Sequence, residues 1–347
     1  MKEKLLTLVI PTYNMEKYLE KCLDSLLVSD KELLKSLDVL IVNDGSKDGS
    51  SAIGHRYQDT YPDTFRVIDK ENGNYGSCVN RGLKEATGKY IKILDADDWF
   101  DTNSLKEFLI FLSNTNADLV LSDFDFVTPE GEIHNTFRFH LQPGQHTLKD
   151  NNIVRDVWMH AVTYRRAIFD GLNYHQTEGI SHTDIEWIFL PMTRVTEVAS
   201  YPHVLYKYLW GREGQTMDPK VFMREISHEI QGWKVNQATW EETEKTGRGD
   251  AEEYLKYRLL IRADVIYSTN IRGCLIGYSN QDLKDFDTYV KSHNPQLYMD
   301  LDSKTIPGRK FRYIRCWRRW FHCRQWVLFL LKLENKLYYW YSKVHKE

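Results

Sequence analysis

The stretch whose reading decides the fold is ENGNYGSCVNRGLKEATGKYIKILDADDWF, Glu71 to Phe100. Asn72 to Gly76 is rich in Asn and Gly and reads as a turn. From Ser77 to Ala86, Val79, Leu83 and Ala86 recur at helical spacing, and Gly88 follows as a C-cap. Tyr90 to Leu94 is a short, β-rich apolar run that stops at Asp95-Ala96-Asp97-Asp98. Carboxylates this close raise one another's pKa unless a cation or hydrogen-bond donors neutralise them. At the carboxyl end of a parallel strand, where ligands of open α/β sheets bind, a divalent metal carrying a phosphate is the economical neutraliser. The plainer alternative is that Asp97 or Asp98 caps the next helix.

Upstream, Leu5 to Ile10 is a continuous apolar run, as in a strand buried on both faces, and Pro11-Thr12-Tyr13-Asn14 ends it. Met15 to Leu27 carries a helix face. Val39 to Val42 is a second buried strand, closed by Asn43-Asp44-Gly45. A helix over Ser51 to Tyr61 and a strand over Phe65 to Ile68 follow. Downstream, the pattern predicts a helix over Leu105 to Leu112 and strands over Ala117 to Leu121 and Met159 to Tyr164. It then predicts a helix over Thr183 to Met192 and a strand over Val204 to Trp210. Strands alternating with helices mean an α/β fold with a mainly parallel sheet and right-handed crossovers. The strand ends at Tyr13, Asp44 and Asp95 to Asp97 open onto one edge, where a nucleotide would lie. There is no Gly-x-Gly-x-x-Gly after the first strand and no P-loop, which argues against dinucleotide oxidoreductases and P-loop enzymes.

A chain of 347 residues holds one large domain plus appendages. The patterning divides it into a catalytic domain over 1–218, a helical region over 219–300 and a basic, aromatic tail over 301–347. The first apolar run is too short for a signal-peptide core, and no stretch reaches transmembrane length. The five cysteines lack metal-type spacing and read as reduced thiols of a cytoplasmic protein. Net charge is −3, but residues 307–347 hold eleven Lys/Arg and two acids, a net of +9 that leaves −12 on the preceding 306. In the tail Phe311, Ile314, Trp317, Phe321, Trp326 and Leu330 form a rough helical stripe, with Arg312, Arg315, Arg318, Arg319 and Arg324 mostly off it. That pattern describes a helix lying peripherally on the anionic inner face of the cell membrane. The competing reading packs the aromatics on the body or on a second subunit of a homo-oligomer. An acidic body gives no expectation of nucleic-acid binding.

Three motifs in order, VIPTYN (9–14), VNDGSKDGS (42–50) and NRGLKEATGKYIKILDADDW (80–99), resemble the family 2 inverting glycosyltransferases of the GT-A fold. SHTDIEWIFLP (181–191) and YKYLWGREGQT (206–216) are similar to a subgroup common among bacterial surface-polysaccharide transferases. The resemblance implies transfer from a nucleotide-sugar donor, a UDP-sugar, to a glycan or lipid-linked acceptor. It implies that Pro11, Thr12 and Tyr13 line the base pocket and that Asp44 accepts a hydrogen bond from the base. It puts Asp95 on the ribose side and has Asp97 ligate Mn2+ or Mg2+ at the diphosphate. Asn14, Asn72, Gly76, Asn80 and Ala96 complete the implied nucleotide contacts, and Asp184 is the implied general base. Two departures stand out. Cys78-Val79-Asn80 replaces the family's Ala-Arg-Asn, so its Arg is absent. Thr183-Asp184 replaces Glu-Asp, leaving Glu186 as a rival acid. His182 is a candidate third metal ligand, and Arg212 and Gln215 are candidate contacts to diphosphate or acceptor. A nucleotidyltransferase would present a Gly-rich basic loop after its first strand, and PTYN is not one. A non-catalytic nucleotide-sugar-binding module is the third reading, against which intact Asp97 and Asp184 speak.

Overall fold

The computed structural model describes residues 4–142, 144–150, 153, 157–212, 219–247, 249–273, 279–303, 312–320, 322–330 and 332–333. The chain divides into two compact units, residues 1–218 with 243–254, and residues 219–242 with 255–347.

The first unit is built on strands β1 (Leu6–Thr12), β2 (Leu37–Asn43), β3 (Phe65–Asp69), β4 (Tyr90–Ile93) and β5 (Trp99–Phe100). They continue with β6 (Leu119–Val127), β7 (Ile133–Phe137), β8 (Gln145–His146), β9 (Val162–Arg165) and β10 (Val198–Leu209). β1, β2, β4 and β6 are buried at every position, in keeping with their mainly apolar sequences. The order is β3-β2-β1-β4-β9-β6-β10-β5, with β7 beside β6 and β8 beside β10. β3, β2, β1 and β4 run parallel, as do β6 and β10, while β9 joins the two sets antiparallel to both. The fold is therefore a mainly parallel α/β sheet flanked by helices.

Those helices are α1 (Leu19–Asp24), α2 (Lys31–Lys35), α3 (Ser50–Thr60), α4 (Asn74–Glu85), α5 (Thr102–Ser113) and α6 (Asp184–Trp187). Several bounds differ from the sequence pattern (β6 runs over Leu119–Val127, β9 starts at Val162 after a 3-10 turn and β10 starts at Val198), and three of the differences have a clear local reason. α1 starts four residues after Met15 because the chain before it is tied to the loop after β2. There Asn14 N–H donates to Ser46 Oγ at 3.0 Å, Met15 N–H to Ser50 Oγ at 2.8 Å and Glu16 N–H to Asp48 at 3.0 Å. α4 begins inside the Asn/Gly turn. The Asp44 carboxylate, distant in sequence, accepts the N–H groups of Gly73 and Asn74 at 2.9 Å each, satisfying donors that a helix start leaves orphaned. The helix foreseen over 183–192 is only α6, followed by a 3-10 turn over Leu190–Arg194. Pro191 has no N–H to continue an α-ladder.

The second unit is helical: α7 (Pro219–Arg224), α8 (Ile226–Thr246, shared with the first unit), α9 (Glu252–Gly273), α10 (Gln281–His293), α11 (Pro295–Ser303) and α12 (Tyr313–Arg319). Its core includes Trp233, whose Nε1–H donates to Leu259 O at 3.0 Å. Arg318 donates to Asp287 at 2.9 Å and lies over the Tyr298 ring at 3.6 Å. The continuous tail stripe is corrected here. Ile314 and Trp317 are buried in this unit, α12 stops at Arg319, and helix resumes only over 324–330. Phe311 and Phe321 lie outside the described residues. Among the described residues no helix is long and apolar enough to cross a membrane.

Candidate active site

The carboxylates after β4 stand where the parallel strands end. Asp95 Oδ1 accepts the Tyr75 hydroxyl at 2.9 Å, and Asp95 N–H donates to Tyr206 Oη at 3.1 Å. Tyr206 O–H donates in turn to Asp98 Oδ2 at 2.6 Å, and Leu209 N–H donates to Asp98 Oδ1 at 2.7 Å. Tyr75 comes from the first turn of α4 and Tyr206 and Leu209 from β10, so three elements converge on one turn. Burial, then the charge of Asp97, pushes the Asp95 carboxyl up to about 7. Burial also drives Asp98 well above the usual carboxylate range, with Asp97 and Asp95 adding to it. The Asp184 charge is among those that raise Asp95 and Tyr75, so the start of α6 is brought to the same cluster. Asp97 Oδ2 is paired with Arg212 Nε at 2.6 Å, and that guanidinium lies 5.4 Å over the Tyr18 ring.

His160 was not among the expected site residues. It precedes β9 in a 3-10 turn over Met159–Ala161, stacks on Tyr208 at 4.2 Å, and has a buried Nδ1 with no hydrogen-bond partner. Burial, then the nearby Lys92, pulls its imidazole down to about 3, so it is neutral. One ring nitrogen and one oxygen each from Asp95 and Asp98 lie within 4.8 Å of one another. Two carboxylates and a neutral imidazole with a spare nitrogen are a donor set that fits a divalent cation.

Lys92, inside β4, is fully buried and donates to His160 O at 2.6 Å and Val162 O at 3.1 Å. Its sequence signal was a single charge within the apolar YIKIL. Tyr75 and Tyr206 gave none, since aromatics beside a strand are ordinarily core.

Other expected positions sort as follows. Tyr13 is 47% exposed at the end of β1, open for a ring to stack on, whereas Pro11 and Thr12 are buried in the strand. Asn14 takes a positive φ of 54° and accepts Lys47 N–H at 2.8 Å, so it braces the neighbouring loop. Asp44 is occupied by Lys70 as well as by the α4 N–H groups. Asn72 donates to Asp44 O at 3.0 Å, and Ala96 is buried. Asn80 spends its amide on the chain before α6, donating to Gln176 O and Glu178 Oε1 at 2.9 Å each and accepting Gln176 N–H at 2.8 Å. A Cβ on Gly76 would stand 2.0 Å from Thr177 O, so only glycine lets α4 pack on that same segment. Glu186 is buried; its Oε2 accepts Thr177 N–H at 2.8 Å, and burial pushes its carboxyl up to about 7. Asp184 is half-buried and remains reachable. His182 is buried with a positive φ of 62°. Gln215 lies outside the described residues. A cleft of about 520 Å³ opens beside the start of α4, with Lys70, Asn72, Asn80 and Lys84 on its walls. Asp95, Asp97 and Asp184 are not among its lining residues.

Residues 7–172 match the family model described as Glycosyl transferase family 2. The chain is 40% identical over 122 residues to the uncharacterized glycosyltransferase MG025 of Mycoplasma genitalium, covering 35% of this chain and 39% of that protein. It is 30% identical over 137 residues to the glycosyltransferase GlyA of Streptococcus pneumoniae, covering 39% of this chain and 18% of that protein. These alignments thus span well under half the length of the relatives. In fold it is similar to S. aureus TarS 1–349, a structure in complex with UDP-GlcNAc, with a TM-score of 0.65 and 18% identity over 83% of this chain and 80% of that one.

Proposed function

We propose that this chain, whose residues 7–172 match the Glycosyl transferase family 2 model, moves a sugar from a UDP-sugar to a hydroxyl of a glycan or lipid-linked acceptor, in surface-polysaccharide synthesis at the inner face of the cell membrane. The observation that carries this reading is the convergence of Asp95, Asp98 and His160 at the turn after β4, beside Asp97 and within reach of the Asp184 charge, from segments up to about ninety residues apart. Tyr13 stacks on the base, and the segment around Asp44 and Asn72 flanks it. Asp184 takes the proton of the acceptor hydroxyl as that oxygen attacks the anomeric carbon. The bond to the nucleoside diphosphate breaks on the opposite side, so one displacement inverts the centre with no covalent intermediate. Mn2+ or Mg2+ would be held by Asp97 together with Asp95, Asp98 and His160, and would supply Lewis-acid stabilisation of the charge on the leaving diphosphate. Arg212, already beside Asp97, is the cation at hand for the same phosphates. Glu186 is the weaker candidate for the base because it is buried and engaged with Thr177, and it orders the segment leading into α6.

The test is nucleotide release from a panel of UDP-, GDP- and dTDP-sugars, with and without acceptor glycans, followed by NMR of the product. A UDP-sugar preference and a β-linked product from an α-linked donor are expected. Retained configuration would overturn the one-step mechanism.

A further inference from the structure

The helix over 324–330 has two apolar sides. Val327 and Leu328 are buried within the second unit. Trp326 and Phe329 are 65% and 60% exposed, and Leu333 extends the same spacing of three and four residues that puts side chains on one helix face. Trp320, at the end of the preceding helix, is exposed as well. Trp326, Phe329 and Leu333, turned to water along one side, form an apolar stripe of the kind that marks a docking site. Cations adjoin it. Arg312, Arg315 and Arg319 recur along α12 at the same spacing on the side away from buried Tyr313, Ile314 and Trp317, and Lys332 is exposed within the apolar stripe.

We infer that this surface seats the protein on an anionic lipid bilayer. The charge distribution selects the occupant. The segment from residue 307 onward carries +9, and an extended anionic surface complements it. An anionic bilayer offers both things the surface asks for: headgroup charge for the arginines and an apolar layer within reach of the indole and phenyl rings. Tryptophan suits that boundary because its ring is apolar and its N–H finds water or headgroup oxygen. The buried half of the stripe, Ile314 and Trp317, anchors the device to the second unit rather than to lipid.

The inference is independent of the transferase chemistry, and the experiment separates the two. The full chain is sedimented with vesicles of phosphatidylcholine alone or with phosphatidylglycerol added, at low and high salt. The double variant Trp326→Ser/Phe329→Ser and the double variant Arg312→Gln/Arg319→Gln are run beside it, with melting curves and size-exclusion profiles. Binding of the wild type to the anionic vesicles only, weakened by salt and reduced about tenfold or more in each variant, is the expected result. Nucleotide release from a UDP-sugar to water or a soluble acceptor should be unchanged in both variants. Vesicle binding unaffected by both variants, or none by the wild type at low salt, would overturn the inference. So would a wild-type dimer that the variants turn into monomers without any vesicle binding, since the patch would then be a contact between copies.

Discussion

Replacing Lys92 by Met should make the stability of the protein respond differently to pH, and the size can be worked from its surroundings. The ammonium is fully buried in β4 with two carbonyl partners, and burial pulls its pKa from 10.5 to about 7. Between those values the unfolded chain binds a proton at this residue that the folded chain does not. Stability must therefore rise with pH across that window, at about 1.4 kcal/mol per unit. Below pH 7 the full cost of burying the charge is present, about 5 kcal/mol on this reckoning. Met fills a similar volume and carries no such cost, but it leaves the His160 and Val162 carbonyls without their donor, at about 1–3 kcal/mol each. The opposing effects roughly cancel near pH 7. From pH 7.5 to 9.5 only the wild type gains, so Lys92→Met should become less stable relative to it by about 3 kcal/mol. Urea unfolding of both proteins at pH 7.5, 8.5 and 9.5 measures the difference and removes the contribution of buried Cys22 and Cys78, whose raised pKa values are common to both. A difference in stability that does not change with pH would refute the reasoning.

Asp97→Ala should abolish metal-stimulated sugar transfer while the melting curve stays near that of the wild type; full activity in EDTA would remove Asp97 from that role. Asp184→Asn should lower turnover by roughly two to four decades with donor affinity preserved, as read by steady-state kinetics. Glu186→Gln should keep most of the turnover, since its amide oxygen still accepts Thr177 N–H, and a dead Glu186→Gln beside an active Asp184→Asn would exchange the two assignments. Gly76→Ala places a Cβ 2.0 Å from Thr177 O, against the 3.4 Å or more of ordinary contact, so the backbone must yield by more than an ångström. Overpacking of that kind costs about 1–3 kcal/mol, and misplacing the segment before α6 should cost about a hundredfold in turnover; a wild-type melting temperature and rate would show that the contact yields freely.

The parallel half of the sheet was legible because strands covered on both faces must be mainly apolar, and β1, β2 and β4 are, with Thr7, Asp38 and Lys92 as buried polar interruptions. Asp95 and Asp97 were legible for the opposite reason, as charges directly after such a run. What the sequence did not disclose depends on chain segments brought together late. Asp44 reads as a turn residue beside Gly45, yet its carboxylate starts a helix nearly thirty residues on. His160 falls within the strand foreseen over Met159 to Tyr164, but nothing in the sequence pairs it with the acidic turn; the antiparallel insertion of β9 beside β4 does. The tail stripe failed as one helix because periodicity counts residues without seeing that α12 ends at Arg319, nor that Trp317 faces a core while Trp326 faces water.

Asn80 has a consequence for how such a scaffold can be varied. Its side chain, from the helix on the donor side, grips both the N–H and the carbonyl of Gln176 on the strand of chain that delivers Asp184. On the proposed assignment, the two halves of the reaction centre are therefore not interchangeable cassettes. A graft of residues 175–187 from a relative with another acceptor preference would arrive with its own spacing but would have to meet this amide, so acceptor grafts should succeed where residue 80 and the loop are transplanted as a pair. Exchange of specificity among enzymes built this way is then constrained less by the residues that touch sugar than by one amide that touches none.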